Sequence, residues 1–205
     1  MNRVFFVLLS LGFALVNSPL YAQLRVAESD VNLQKKLIEA NREKLLGNYD
    51  KALAILDELR KQKREEDVLL YEMARIHAAT ENIDKSIPLL RQAIAMAPRN
   101  QWYRETLAVY LEELGQFAEA AGVYGELSAE FPREKDYFFN QAYLLVKADE
   151  IDDAIKVYEA WEKIVGIQAE STLNQHRLYA GTGNEKKAIK ELESLILRIA
   201  DPKGN

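Results

Sequence analysis

Cysteine is absent from the 205 residues of this chain, and proline and glycine are scarce, with 5 and 9 residues. Without cysteine the chain has neither a disulfide framework nor a thiolate metal site. The low content of proline and glycine, together with abundant Ala, Leu, Glu and Lys, favours helix throughout. No basic run occurs and the formal net charge is −5 at pH 7, so a nucleic-acid partner is not expected.

The first 22 residues differ from the rest because Arg3 is their only charged side chain. The apolar run 4–16 spans 13 residues, fewer than the roughly 20 that a membrane-spanning helix needs. Pro19 and the small residue Ala22 follow it, as at the end of a secretory signal peptide. We therefore predict a signal peptide at 1–22 and a periplasmic or secreted protein without a lipid anchor. The alternative is a chain anchored in the membrane by an uncleaved signal.

One sequence motif occurs five times along the chain at a fixed interval of 34 residues. It first reads GNYDKALAIL, from Gly47, and its starts are 47, 81, 115, 149 and 183. A strict period of this length indicates an array of similar units. A lead-in of 23–32 and a tail of 203–205 flank the array of 33–202. Its five repeats are 33–66, 67–100, 101–134, 135–168 and 169–202.

Each repeat divides into two helical stretches with a break near its fifteenth residue. Glycine stands there in three repeats, as Gly47, Gly115 and Gly183, and it suits a helix end because it adopts left-handed backbone geometry easily. Equivalent positions of the five repeats form a column. The residues of the twentieth column are small and those of the twenty-fourth are large, which predicts helical hairpins stacked on their neighbours. These columns are Ala52, Ser86, Ala120, Ala154 and Ala188, and then Leu56, Leu90, Tyr124, Tyr158 and Leu192.

The period, the Gly-x-aromatic-x-x-Ala core in GNYDKA and GQFAEA, and the closing prolines Pro98 and Pro132 resemble the tetratricopeptide repeat (TPR). The resemblance covers residues 33–202 and extends loosely to exported repeat proteins of Gram-negative bacteria. It implies an all-α fold, a right-handed α-solenoid of five 34-residue helix-turn-helix units. It also implies an inner groove that binds peptides or partner proteins.

Several columns depart from the family pattern, in which they are apolar. The fourth column holds Lys36, Arg104 and Thr172, and repeat five carries His176 and Glu185 in apolar columns. Repeats one and five are therefore expected to be the least regular, as terminal repeats often are.

In this family the first helix of each repeat lines the groove through its second, fifth, ninth and twelfth columns. Aromatic residues and arginine, which are enriched at interface hot spots, recur in these columns. The alternative for any one aromatic is packing between helices. The predicted partner-binding residues are Asn41, Tyr71, Arg75, Trp102, Glu105, Val109, Phe139, Tyr143 and Arg177. A chaperone-tail receptor is not expected, because only Asn41 matches the carboxylate clamp of some cytosolic family members.

No residue pattern points to catalysis. His77 and His176 lie 99 residues apart (176 − 77), without the spacing of metal ligands. The acidic stretch 149–153 lacks the spaced aspartates of a calcium loop, and 181–187 lacks the spacing of a phosphate loop. We therefore expect no enzyme, no catalytic residue, no metal site and no cofactor.

The leading hypothesis is an exported scaffold or adaptor that binds a protein or peptide of the cell envelope in its groove. A small-molecule substrate is not expected. The alternative is a self-associating structural module, or the N-terminal part of a longer envelope-assembly scaffold. The reason for this alternative is the apolar edge of the last repeat, which is followed by no polar capping helix. This edge includes Leu192, Leu195, Ile196 and Ile199.

Overall fold

The computed structural model describes the backbone of residues 19–62 and 66–200, and the side chains of 31–62 and 66–200. These residues form ten α-helices and no strand, which confirms the all-α prediction. The predicted tail and most of the predicted signal peptide (1–18) lie outside the described residues. The helices are α1 (Pro19–Leu45), α2 (Tyr49–Lys61), α3 (Asp67–Ala79), α4 (Ile83–Met96), α5 (Gln101–Glu113), α6 (Phe117–Glu130), α7 (Lys135–Lys147), α8 (Ile151–Val165), α9 (Ala169–Gly181) and α10 (Glu185–Ala200).

The 34-residue period is visible in the helix starts. Helices α3, α5, α7 and α9 begin at Asp67, Gln101, Lys135 and Ala169, and each start lies 34 residues after the one before it (101 − 67 = 34). The first helix is different, because α1 begins at Pro19 and contains the lead-in of 23–32. Proline is well tolerated in a first helical turn, where its missing N–H would have no partner.

The described residues divide into two compact parts. The N-terminal part ends at Ile76 and the C-terminal part begins at His77. In the N-terminal part α1 packs on α2, and in the C-terminal part each helix from α4 to α10 packs on the next one. Within 19–62 and 66–200, no helix has both the length and the apolar character needed to cross a membrane.

The small column marks the closest helix contacts. Its five members, Ala52, Ser86, Ala120, Ala154 and Ala188, are at most 2% exposed, so a larger side chain would have no room there. The large column is buried as well in repeats one to four. In repeat five, however, Leu192 of α10 is only half-buried.

The break between paired helices has the same hydrogen bonds in every repeat. In repeat one the N–H of Gly47 donates to the carbonyl of Lys44 (3.0 Å), and that of Asn48 donates to Glu43 (2.9 Å). This pair of bonds is a Schellman motif, which requires positive φ at the glycine position. The equivalent pairs of residues in the other repeats are 81 and 82, 115 and 116, 149 and 150, and 183 and 184.

Glycine is absent from two of these five turns. Glu81 and Asp149 adopt φ values of +60° and +64°, close to the +74° of Gly115. An L-residue with a Cβ atom is strained in this left-handed region. The repeat therefore imposes its turn geometry even where the local sequence opposes it.

Candidate partner-binding groove

In the C-terminal part, the predicted groove residues lie on the first helices of repeats three, four and five, which are α5, α7 and α9. Columns two, five, nine and twelve fall on one face of a helix. Trp102 is 64% exposed, Tyr143 is 49% exposed and Val109 is 42% exposed. Leu173 and Val146, in the same columns, are also exposed. Large apolar side chains left in solvent on one type of helix face are a common mark of an interaction surface.

Polar side chains connect the neighbouring first helices along this face. The Tyr137 hydroxyl of α7 donates to Glu105 Oε1 of α5. Lys147 Nζ of α7 lies 3.4 Å from Glu112 Oε1 of α5. On the other side of α7, Lys135 Nζ lies 3.0 Å from Glu170 Oε2 of α9. Helix α7 therefore contacts both neighbours through carboxylates that the sequence places in groove columns.

Glu105 is thus half-buried and holds Tyr137 of the neighbouring first helix. Burial and the Glu105 carboxylate both raise the pKa of Tyr137 above its ordinary value. Burial, with Glu105 and Glu112 nearby, also raises the pKa of Tyr124. Both phenols therefore keep their protons near neutral pH, and Tyr137 remains the donor to Glu105.

Tyr143 is held from one side by a lysine one helical turn further along α7. Lys147 Nζ lies 5.3 Å from the centre of the Tyr143 ring and 4.5 Å from that of Phe117. Tyr143 is the largest cause that raises the pKa of Lys147, and Glu112 adds to it. Cation–π contacts of this kind orient a ring and leave its other face in solvent. Sequence reasoning missed this contact of Lys147 with a predicted groove residue, although its i+4 spacing from Tyr143 signals it.

Phe139 lies deeper than its neighbours in the groove columns. Its ring meets the ring of Tyr158 from α8 edge-on, with 5.2 Å between centroids. Lys135 Nζ lies 5.2 Å from the Phe139 centroid, and this lysine too was missed. Phe139 is therefore half-buried between helices, which is the alternative that sequence reasoning left open for single aromatics.

The backbone of Trp102 is hydrogen-bonded at both its N–H and its carbonyl, and the residue is largely exposed. The Asn100 side chain caps α5 by accepting from the Trp102 N–H (3.2 Å), and Thr106 Oγ1 donates to the Trp102 carbonyl (2.7 Å). At the far side of the face, Arg177 of α9 is exposed and its Nη1 lies 3.4 Å from Asn174 Oδ1.

Three predicted groove residues belong to the N-terminal part. Asn41 is half-buried in a narrow gap that it lines together with Lys44 and Glu72. Glu72 is within ion-pair distance of Lys44 Nζ (2.5 Å) and of Arg75 Nη1 (3.1 Å). The Arg75 guanidinium also lies 5.7 Å from the centre of the Tyr71 ring. Tyr71 and Arg75 therefore contact each other, and Arg75 shares the Glu72 carboxylate with Lys44.

His176 contacts the helix that follows its own. His176 Nδ1 lies 3.0 Å from the carbonyl of Ala188, so the ring is a contact between α9 and α10. Among these residues, no group of three or more His, Asp or Glu side chains is arranged to hold a metal ion.

The paired helices, the identical turns and the buried small column define a helical repeat protein of the scaffold type. The TPR family model matches residues 39–101, 71–121 and 105–166, which together cover 128 of the 205 residues (166 − 39 + 1). The chain belongs to the tetratricopeptide repeat family.

Solved structures show the same fold. MamA of strain AMB-1 is 15% identical, with a TM-score of 0.59 over 80% of this chain and 90% of that chain. MamA from Desulfovibrio magneticus RS-1 is 12% identical, with a TM-score of 0.57 over 84% and 97%. A structure of Naa15/Naa10 bound to HypK-THB is 16% identical, with a TM-score of 0.67 over 83% of this chain and 28% of that one. No curated protein matches the chain by sequence.

Proposed function

We propose that this protein is an exported adaptor that binds a segment of another cell-envelope protein on the face formed by α5, α7 and α9, without catalysis. The exposure of Trp102, Tyr143 and Val109 in the groove columns carries the proposal. TPR proteins are scaffolds that bind other proteins, and the Naa15 structure is such a complex. The apolar run and Ala22 at the N-terminus support export.

The chemistry of the face indicates which segment it binds. Glu105, Glu112 and Glu170 already contact Tyr137, Lys147 and Lys135 within the protein. Trp102 and Tyr143 therefore provide the main contacts, and the bound segment carries aromatic or aliphatic residues that cover these rings. Because few charges have to be neutralised, we expect an affinity that changes little with salt concentration.

Affinity capture with matched variants tests the groove. The double variant Trp102→Ala/Tyr143→Ala should lose a protein that the unchanged chain retains from cell-envelope extracts. Ile38→Ala in α1 removes an equally exposed apolar side chain outside the predicted set, and this control should keep the partner. Equal capture by the unchanged chain and both variants would contradict the groove assignment.

Export has its own test. N-terminal sequencing of the protein from the periplasmic fraction should find Gln23 as the first residue. Recovery of the intact N-terminus in the membrane fraction would instead establish the anchored alternative.

A second candidate function is a self-associating structural module or a part of a longer scaffold. The exposed side chains of Ile196, Leu197 and Ile199 on α10 favour it. Light scattering decides this point, because a monomer at all concentrations contradicts self-association.

A further inference from the structure

The last helix, α10, exposes an apolar stripe outside the groove columns. Ile189, Ile196 and Ile199 are 56%, 63% and 70% exposed, and Leu192 between them is half-buried. Their spacing of three and four residues places all four on one side of the helix. The stripe therefore lies on a single face and does not consist of scattered apolar residues.

Helix α8 uses the same columns to hold the helix that follows it. Ile155, one period before Ile189, is 3% exposed and belongs to a buried cluster with Tyr179 of α9. Tyr158, one period before Leu192, is buried and its hydroxyl accepts from Asn174 of α9 (3.3 Å). This face of α8 is thus an interface between a second helix and the first helix of the next repeat.

Glu162 completes that interface one period before Ile196. Its Oε1 accepts from the hydroxyls of Ser171 (2.5 Å) and Thr172 (2.9 Å), which are both fully buried on α9. Helix α6 follows the same scheme, because the Ser128 hydroxyl lies 3.4 Å from Gln141 Oε1 of α7. In α10 the residue in this column is Ile196, which is apolar. A helix that packs there therefore has to present an apolar residue, since a buried polar group without a partner is costly.

The chain's own outward helix faces do not meet this requirement. The corresponding columns of α1 carry Lys35, Glu39 and Arg42, all exposed, and packing them on Ile196 would move charged groups out of water and against an apolar side chain. Pairing α10 with itself in antiparallel fashion, with Ile189 over Ile199, brings the two copies of Glu193 together. Both arrangements of a second copy are disfavoured by charge.

We propose that the exposed face of α10 binds an amphipathic α-helix of a partner protein, packed as α9 packs on α8. The partner helix places a large apolar residue over Ile196 and carries no charge at that point. This surface is separate from the groove and does not depend on the groove's function.

The probe is a synthetic helix based on α7, whose Tyr137 packs on α6 with 6.2 Å between the rings of Tyr137 and Tyr124. The peptide spans 135–147, carries Gln141→Leu to match Ile196, and is stapled through the exposed positions 136 and 140. Fluorescence anisotropy with the full chain should show saturable binding. Tyr137→Lys in the peptide is the matched control and should bind at least 10-fold more weakly.

Ile189→Lys/Ile196→Lys in the protein should also weaken binding at least 10-fold. Trp102→Ala/Tyr143→Ala should leave it unchanged, which separates this surface from the groove. Circular dichroism should show that the double lysine variant keeps its helix content, because both side chains are solvent-exposed.

Absence of binding to the unchanged chain, or equal binding to the double lysine variant, would overturn the proposal. A dimer in light scattering that Ile189→Lys/Ile196→Lys dissociates would overturn it too, since the occupant would then be a second copy.

Discussion

Repeats four and five share one pattern of columns but differ in the residues that their first helices bury. In repeat four, Phe138 of α7 and Trp161 of α8 are both buried, with 5.2 Å between ring centroids. In repeat five, the buried residues of α9 include Ser171 and Thr172, whose hydroxyls donate to the Glu162 carboxylate of α8. The comparison teaches that one backbone arrangement can be held by aromatic packing or by hydrogen bonds. The second solution depends on individual partners, because a buried polar group is costly without one.

The largest difference in stability between variants of the two repeats is expected for Trp161 and Leu195, which lie one period apart. Trp161→Ala should reduce the free energy of unfolding by about 3–5 kcal/mol, because it leaves a cavity beside Phe138. Leu195→Ala should cost about 1–2 kcal/mol, since Leu195 is only half-buried. Urea denaturation followed by circular dichroism measures both. Equal losses would show that repeat five is packed as tightly as repeat four.

The carboxylate that joins the two repeats gives the next largest effect. Glu162→Ala should destabilise α9 and α10 by about 1–3 kcal/mol, because the buried Thr172 hydroxyl loses its acceptor and Ser171 keeps only the Gln168 carbonyl (3.0 Å). Glu162→Gln keeps a carbonyl acceptor and should cost less. Hydrogen exchange resolved along the chain should show faster exchange in 169–200 and little change in α5 and α6. Uniformly faster exchange would contradict a local role for Glu162.

Substitutions in the turns should have smaller effects on stability, and these effects should have opposite signs. Asp149→Gly should stabilise the protein by about 1 kcal/mol, because it removes a Cβ atom from a residue with φ of +64°. Gly115→Ala should destabilise it by about 1 kcal/mol for the same reason, although no described atom lies within 4 Å of the added Cβ. Melting temperatures of the two variants compare the effects. A fall in melting temperature for Asp149→Gly would mean that the aspartate makes a compensating contact.

The smallest expected effect is the pH dependence of repeat five. Burial is the main cause that raises the pKa of Glu191 on α10, and Glu162 and Glu159 add to it. A carboxyl with a folded pKa above its unfolded value favours folding when protonated. Its contribution is therefore present below the unfolded value and is lost as pH rises through the folded pKa. Glu191→Gln should flatten the loss of protection factors in α10 as pH rises above 4.5, and an unchanged profile would exclude this cause.

The periodic pattern predicted those features of the fold that depend on the residue type at a single position of the repeat. The turn positions, the small column and the all-α class all follow from it. Even Glu81 adopts the left-handed geometry that its column predicts, although its own residue type disfavours that geometry.

Contacts between repeats were harder to predict, because they depend on how far one helix is offset along the next. Tyr137 meets Glu105 at a separation of 32 residues, whereas Lys147 meets Glu112 at 35. A strict 34-residue rule predicts neither partner. Within repeat four, Phe139 packs against Tyr158 of the paired helix, whereas Tyr143 on the same helix remains exposed.

Photo-crosslinking in living cells tests the central claim that the face of α5, α7 and α9 binds the partner. A photoreactive phenylalanine analogue would replace Trp102 in one variant and the exposed Asp152 of α8 in another. The proposed function predicts a discrete crosslinked species of higher mass from position 102 and none from position 152. Crosslinks from position 152 alone, or none from position 102, would contradict it.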